Sequence, residues 1–205
     1  MEFWKHIVVV AVAMSATAFV TERVVSQDVR EELEKQDPQR EEWLRLAAPG
    51  PEHERLSRWS GTWRQEQTYW MYPGAAAHTS AATAKFKPIF GGRFLREQVK
   101  GRDKVGGGGR FVGYGFFGYD NYTEQHVFWW IDNQGTMMLT GAGVRDDTGA
   151  ITYHSAVPNP VTGGTTEIRS IARQPSSDTL LFEMHERQPD GTWFQKVAVV
   201  ATREP

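Results

Sequence analysis

From Gly61 to the C-terminus, apolar and polar side chains alternate with a period of two, and turn residues break the alternation about every 8 to 12 positions. This pattern constrains the fold more than any other feature, because period two sends successive side chains to opposite faces of an extended strand. Strand candidates lie near residues 62–71, 81–88, 92–100, 110–117, 124–131, 135–143, 150–157, 164–173, 178–187 and 192–202. The connections carry turn chemistry, as in Asp132-Asn133-Gln134-Gly135, Asp146-Asp147-Thr148-Gly149, Asn159 to Gly164, Pro175 to Asp178 and Pro189-Asp190-Gly191. Links this short join antiparallel neighbours, and no helical pattern lies between the strands to form parallel crossovers. An open meander of this size exposes an unpaired strand at each edge, which closure removes. The expected fold is therefore all-β: a closed or nearly closed antiparallel meander barrel of about ten strands, preceded by an N-terminal helical segment.

A chain of 205 residues suits one such domain, here residues 49–205. The formal charge of −2 makes no strong field of either sign, so no nucleic-acid partner is expected. The absence of cysteine excludes disulfides, thiolate nucleophiles and Cys-ligated metals. Ahead of the barrel, Lys5, the apolar run from Ile7 to Val20 and the small residues of Ala16-Thr17-Ala18 predict a signal peptide over residues 1–20. Phe19 and Val20 extend the apolar stretch, so an uncleaved anchor is the alternative; no other membrane contact is expected. Either way the domain is expected to be exported, to the periplasm or outside the cell. Residues 21–48 form a charged, glycine-free segment that reads as a helical linker, with Asp37-Pro38 as a helix start and Pro49-Gly50-Pro51 as a stop. A second short helix is expected from about Glu52 to Trp59.

Gly113-Tyr114-Gly115-Phe116-Phe117-Gly118 spells the dinucleotide fingerprint, but a turn and another strand follow it where a helix is required. The alternative is steric: Gly113 and Gly115 share a strand face and leave room for a large neighbour. The histidines form no HxH or HExxH pair, and no metal site is expected. Period two pairs His126 with Glu124 and His185 with Glu183, and His154 is the histidine to test first for a metal or haem. There is no GxSxG elbow, and no catalytic residue is assigned. Trp63, Trp70, Trp129, Trp130 and Trp193 fall in the strand region, as core filling or as pocket lining. Trp129 and Trp130 must face opposite ways. Placing Trp130 inward with Phe128 also carries His126 inward.

Gly61-Thr62-Trp63 follows a short helix, and Arg203 ends the last strand. This resembles the calycin pattern of lipocalins and fatty-acid-binding proteins, which implies that Arg203 packs over Trp63 as a barrel-closing pair. The run from Pro49 to Arg203 is similar more closely to a bacterial family of uncharacterised proteins, DUF1579. The matching residues are Pro51-x-His53-x-x-Leu56, Gly61-Thr62-Trp63, Gly91-Gly92-Arg93-Phe94-Leu95, Gly118-Tyr119-Asp120-Asn121 and Trp130-Ile131-Asp132-Asn133 leading to Gly135-Thr136. The resemblance implies a calycin-like barrel with no assigned activity, and its motifs mark no histidine as a haem ligand; the cofactor is left unknown. The expected role is binding of a small apolar or amphiphilic ligand inside the barrel, with Arg93, Glu97, Tyr114, Trp130 and His154 as candidate ligand-binding residues. Arg93 is expected to point inward with Glu97 as its partner. The alternatives are an enzyme that uses Arg93, Glu97 or a histidine in the cavity, and an envelope interaction module with a filled core.

Overall fold

In the computed structural model, residues 38–102, 109–160 and 162–205 are described. The signal-like segment, the linker up to Asp37 and most of the Gly106 to Gly109 loop lie outside them. The chain divides into two units between Leu46 and Ala47. Helix α1 (Pro38–Ala47), all but its last residue in the first unit, begins on proline, whose fixed φ suits a first helical turn. Glu42 and Arg45 pair on it at 2.7 Å.

The second unit opens with helix α2 (Pro51–Ser57), again started by proline, and continues into ten strands. These are β1 (Gly61–Tyr69), β2 (His78–Ile89), β3 (Phe94–Arg102), β4 (Arg110–Asp120), β5 (Gln125–Asp132), β6 (Leu139–Arg145), β7 (Ile151–Pro158), β8 (Thr165–Ser176), β9 (Thr179–Arg187) and β10 (Trp193–Arg203). Each pairs antiparallel with its sequence neighbours, and β1 pairs with β10 from Trp63↔Arg203 to Tyr69↔Val197, so the barrel is closed. Every segment expected from alternation is present. The largest shift is at β6, which begins at Leu139 because Gly135 to Met138 form a loop instead of strand.

One end of the barrel is shut by side chains that converge from α2 and the strand ends. Trp63, fully buried, donates from its indole Nε1 to the Trp59 carbonyl at 2.7 Å. The Arg203 guanidinium lies 4.1 Å from the Trp63 ring centroid and donates to the carbonyls of Ser60, Arg58 and Ser177. Glu52 on α2 accepts both arms of the Arg145 fork, at 2.9 and 3.0 Å, which holds its carboxyl below the usual carboxylate range. His53 Nδ1 accepts the Gly50 N–H and its ring meets Tyr119 edge-on, while Leu56 is buried in the core. The expected helix is thus present, two residues shorter at its end.

Two sequence expectations are corrected here. Arg93 does not point into the barrel. Gly91 and Gly92 take positive φ in a 3₁₀ turn at Phe90–Gly92, and Arg93 itself is helical, so the alternation of β3 starts only at Phe94. Arg93 is exposed and donates to the carbonyls of Ala47 and Phe90, clamping the approach to α2 from outside. Glu124 does not share a strand with His126 either: it adopts φ 53° in the turn before β5. His126 is 1% exposed, with Nε2 3.3 Å from Glu52. Burial holds its imidazole below the ordinary range, against the pull of Glu52.

Candidate ligand cavity

Inward positions follow from register. On β1 these are Trp63, Gln65, Gln67 and Tyr69; on β3 Leu95, Glu97 and Val99; on β4 Phe111, Gly113, Gly115 and Phe117; on β5 His126, Phe128 and Trp130. Between them lies a cavity of about 660 Å³, within the range of ~300–1,000 Å³ usual for small-molecule sites. Trp59, Phe86 and Phe117 floor it through edge contacts between ring centroids 5.5 and 6.2 Å apart. Val197, Val199, Leu180 and Phe182 wall the opposite side. Met71 and Met137, 54% and 52% exposed, stand at the far rim.

The room for Trp130 comes from the glycines of β4. A Cβ on Gly113 would lie 2.3 Å from Trp130 Cζ2, and one on Gly115 would lie 3.3 Å from Cε3 and 3.0 Å from Glu97 Oε2. The indole therefore lies across bare backbone, stacked near-parallel on Phe111. Its Nε1 donates to Asp132 Oδ2 at 2.8 Å, and Asp132 Oδ1 caps the Gln134 N–H. The Trp-Ile-Asp-Asn run thus fixes one wall of the cavity.

Opposite that wall a chain of hydrogen bonds runs along β1. The Tyr69 hydroxyl donates to Gln67 Oε1 at 2.5 Å, Gln67 Nε2 donates to Gln65 Oε1 at 2.8 Å, and Gln65 Nε2 donates to Glu97 Oε1 at 3.1 Å. All three bonds point toward the carboxyl of Glu97, which is 6% exposed. Burial pushes that carboxyl up to about 7, opposed by the Gln65 hydrogen bond. Its Oε2 lies over Gly115 and accepts no hydrogen bond among the described residues. The charged lining residues are Glu97, Asp132 and Arg102, the last at the end of β3 farthest from the floor.

Of the candidate ligand-binding residues, Glu97 and Trp130 line this cavity, one on each side of Gly115. Tyr114 faces outward, where its hydroxyl accepts from Gln98 Nε2 at 2.6 Å. His154 is exposed beside a separate, shallower hollow of about 370 Å³ that it shares with Trp129, Thr140 and Ala142. Arg93 sits at the outer corner described above. Among the tryptophans, Trp129 packs outside against Phe94, and Trp193 lies outside under the Arg169 and Arg187 guanidinium groups. His185 and Glu183 approach to 3.8 Å outside the cavity. Sequence reasoning missed Gln65, Gln67, Tyr69 and Asp132. Counting by twos from Trp63 would have found the first three. No group of three or more metal-ligating side chains is present among the described residues.

A family model described as "Protein of unknown function (DUF1579)" matches residues 48–203. No curated protein matches the chain. Among solved structures, a redesigned β-barrel is similar at 18% identity and a TM-score of 0.37, covering 73% of this chain and 94% of its own. The redesigned β-barrel mFAP0, bound to DFHBI, is similar at 16% identity and a TM-score of 0.35, covering 71% of this chain and 99% of its own.

Proposed function

We propose, for a chain that belongs to the DUF1579 family and takes no activity from that membership, that the barrel binds a small, partly apolar molecule in its interior. The observation that supports this is the cavity of about 660 Å³, lined mainly by Phe, Leu, Val and Met side chains and floored at the α2 end. A solid core leaves no such space, so an interaction module with a filled interior fits poorly. An enzyme would have to work with little: of the acid-base groups suggested by sequence, only Glu97 lines the cavity, hydrogen-bonded to the carboxamide of Gln65.

The test is titration of the full-length protein with Nile red, an uncharged dye that brightens in apolar surroundings. Saturable binding is expected. Val199→Trp, which fills the cavity from β10, should weaken it by about ten-fold or more without changing the circular dichroism. Ala172→Leu fills less space and should weaken binding in the same direction. No saturable binding, or binding indifferent to both substitutions, overturns the proposal. Return of a bound ligand unchanged supports binding over catalysis.

The apolar run from Ile7 to Val20 and the small residues near Ala18 support export of this binder. Fractionation of cells expressing the full chain should place it outside the cytoplasm. Recovery in the cytosol would sink that part.

A further inference from the structure

The blind end of the cavity carries a feature that an indifferent apolar pocket does not need. Gln67, Gln65 and Glu97 are all buried on the inner face, and their hydrogen bonds run one way, each donor pointing toward Glu97. A chain of aligned bonds polarises along its length, so donors that end on a carboxylate favour its ionised form. Only one oxygen of that carboxyl is used. Oε2 faces the bare backbone of Gly115 and takes no donor among the described residues. That oxygen is not sealed off from the cavity, so a ligand can reach it and supply the donor.

We infer that the cavity takes an amphiphilic amine, with its ammonium group at Glu97 Oε2 and its apolar body extending past Trp130 and Phe111 toward the rim. This rests on the interior-binding function proposed above. Three observations select the charge. No cation among the described residues lines the floor, where a carboxylate head group would need one; Arg102 is the single cation of the lining and stands at the other end. The aromatic faces of Phe128 and Trp130, which line the same wall, suit an ammonium group and its first methylenes. A carboxyl held near neutrality by burial regains its charge when a cation arrives, so the pair forms without leaving a permanent uncompensated charge in the empty barrel. The four residue-to-residue steps from Gln65 to Tyr69 rise roughly 13 Å, which suits a medium-length alkyl chain.

The experiment is competition against Nile red on the full-length protein, with decylamine, decanol and decanoate as competitors at neutral pH. Decylamine should displace the dye about ten-fold to a hundred-fold more tightly than decanol or decanoate. Glu97→Gln keeps the shape and one oxygen, and should reduce that preference, read as the ratio of decylamine to decanol competition within the variant, to about two-fold or less. Decanol or decanoate competing as well as decylamine overturns the inference and leaves interior binding intact. So does a preference that survives Glu97→Gln. Failure of Nile red itself to bind overturns both. The ranking on the unsubstituted protein decides the matter even if Glu97→Gln does not fold.

Discussion

Glu97 is a carboxylic acid held in the barrel interior, where its type is rarely buried. Burial raises its carboxyl to about 7 in the folded barrel, while in the unfolded chain it titrates near its ordinary value of 4.5. Between those values the folded state holds a proton that the unfolded state has released, so this residue's contribution to stability falls as pH rises through that window. Glu97→Gln removes the slope. Its stability relative to the parent, measured by urea unfolding, should improve by on the order of 2 to 3 kcal/mol between pH 5 and pH 8. Parallel pH profiles for the two proteins would contradict the burial of Glu97. Its position was legible in the sequence, because alternation along β3 places it inward, while its partners on β1 could be placed only by carrying the parity on from Trp63. Arg64-Gln65-Glu66-Gln67 is polar on both faces, so hydrophobic contrast gives no phase there, and the buried glutamines pass for surface.

At the scale of elements, the pairing of β4 with β5 rests on a close approach between bare backbone and a large ring. Gly113→Ala puts a methyl group 2.3 Å from the Trp130 ring and should cost about 1 to 3 kcal/mol of stability. Trp130→Phe removes the atoms that clash, so adding it to Gly113→Ala should recover at least half of that loss in a double-mutant cycle. Additive costs would show that the indole does not lie across Gly113. Strand interiors and corners differed in how readable they were. Strand interiors followed parity, which is why Phe128, Trp130 and His126 share the inner face as the pattern required. Corners did not: two positive-φ glycines before Arg93 reset the phase by a helical residue, and no count along the chain anticipates that.

For the molecule as a whole, the short motifs that carry the family likeness are shared between closing the barrel and shaping its interior. His53, Leu56, Arg93 and Asn121 hold the α2 end, with Asn121 Nδ2 donating to the Ala48 carbonyl at 2.9 Å. Trp130 and Asp132 build a cavity wall. Arg203 belongs to the first group, and its planar fork reaches three carbonyls that an ammonium group cannot serve together. Arg203→Lys should therefore cost about 2 to 3 kcal/mol, nearly as much as Arg203→Ala. A lysine that restores full stability would mean that charge over Trp63, and not the fork, closes the barrel.

The claim that everything else depends on is a hollow interior that a ligand can enter. Crystals of the protein soaked with a brominated alkane provide the direct measurement, through the anomalous signal of bromine. The peak is expected inside the barrel, between Phe117, Phe128, Trp130 and Val199. Bromine found only on the outer surface, such as the hollow beside Trp129 and His154, would contradict it.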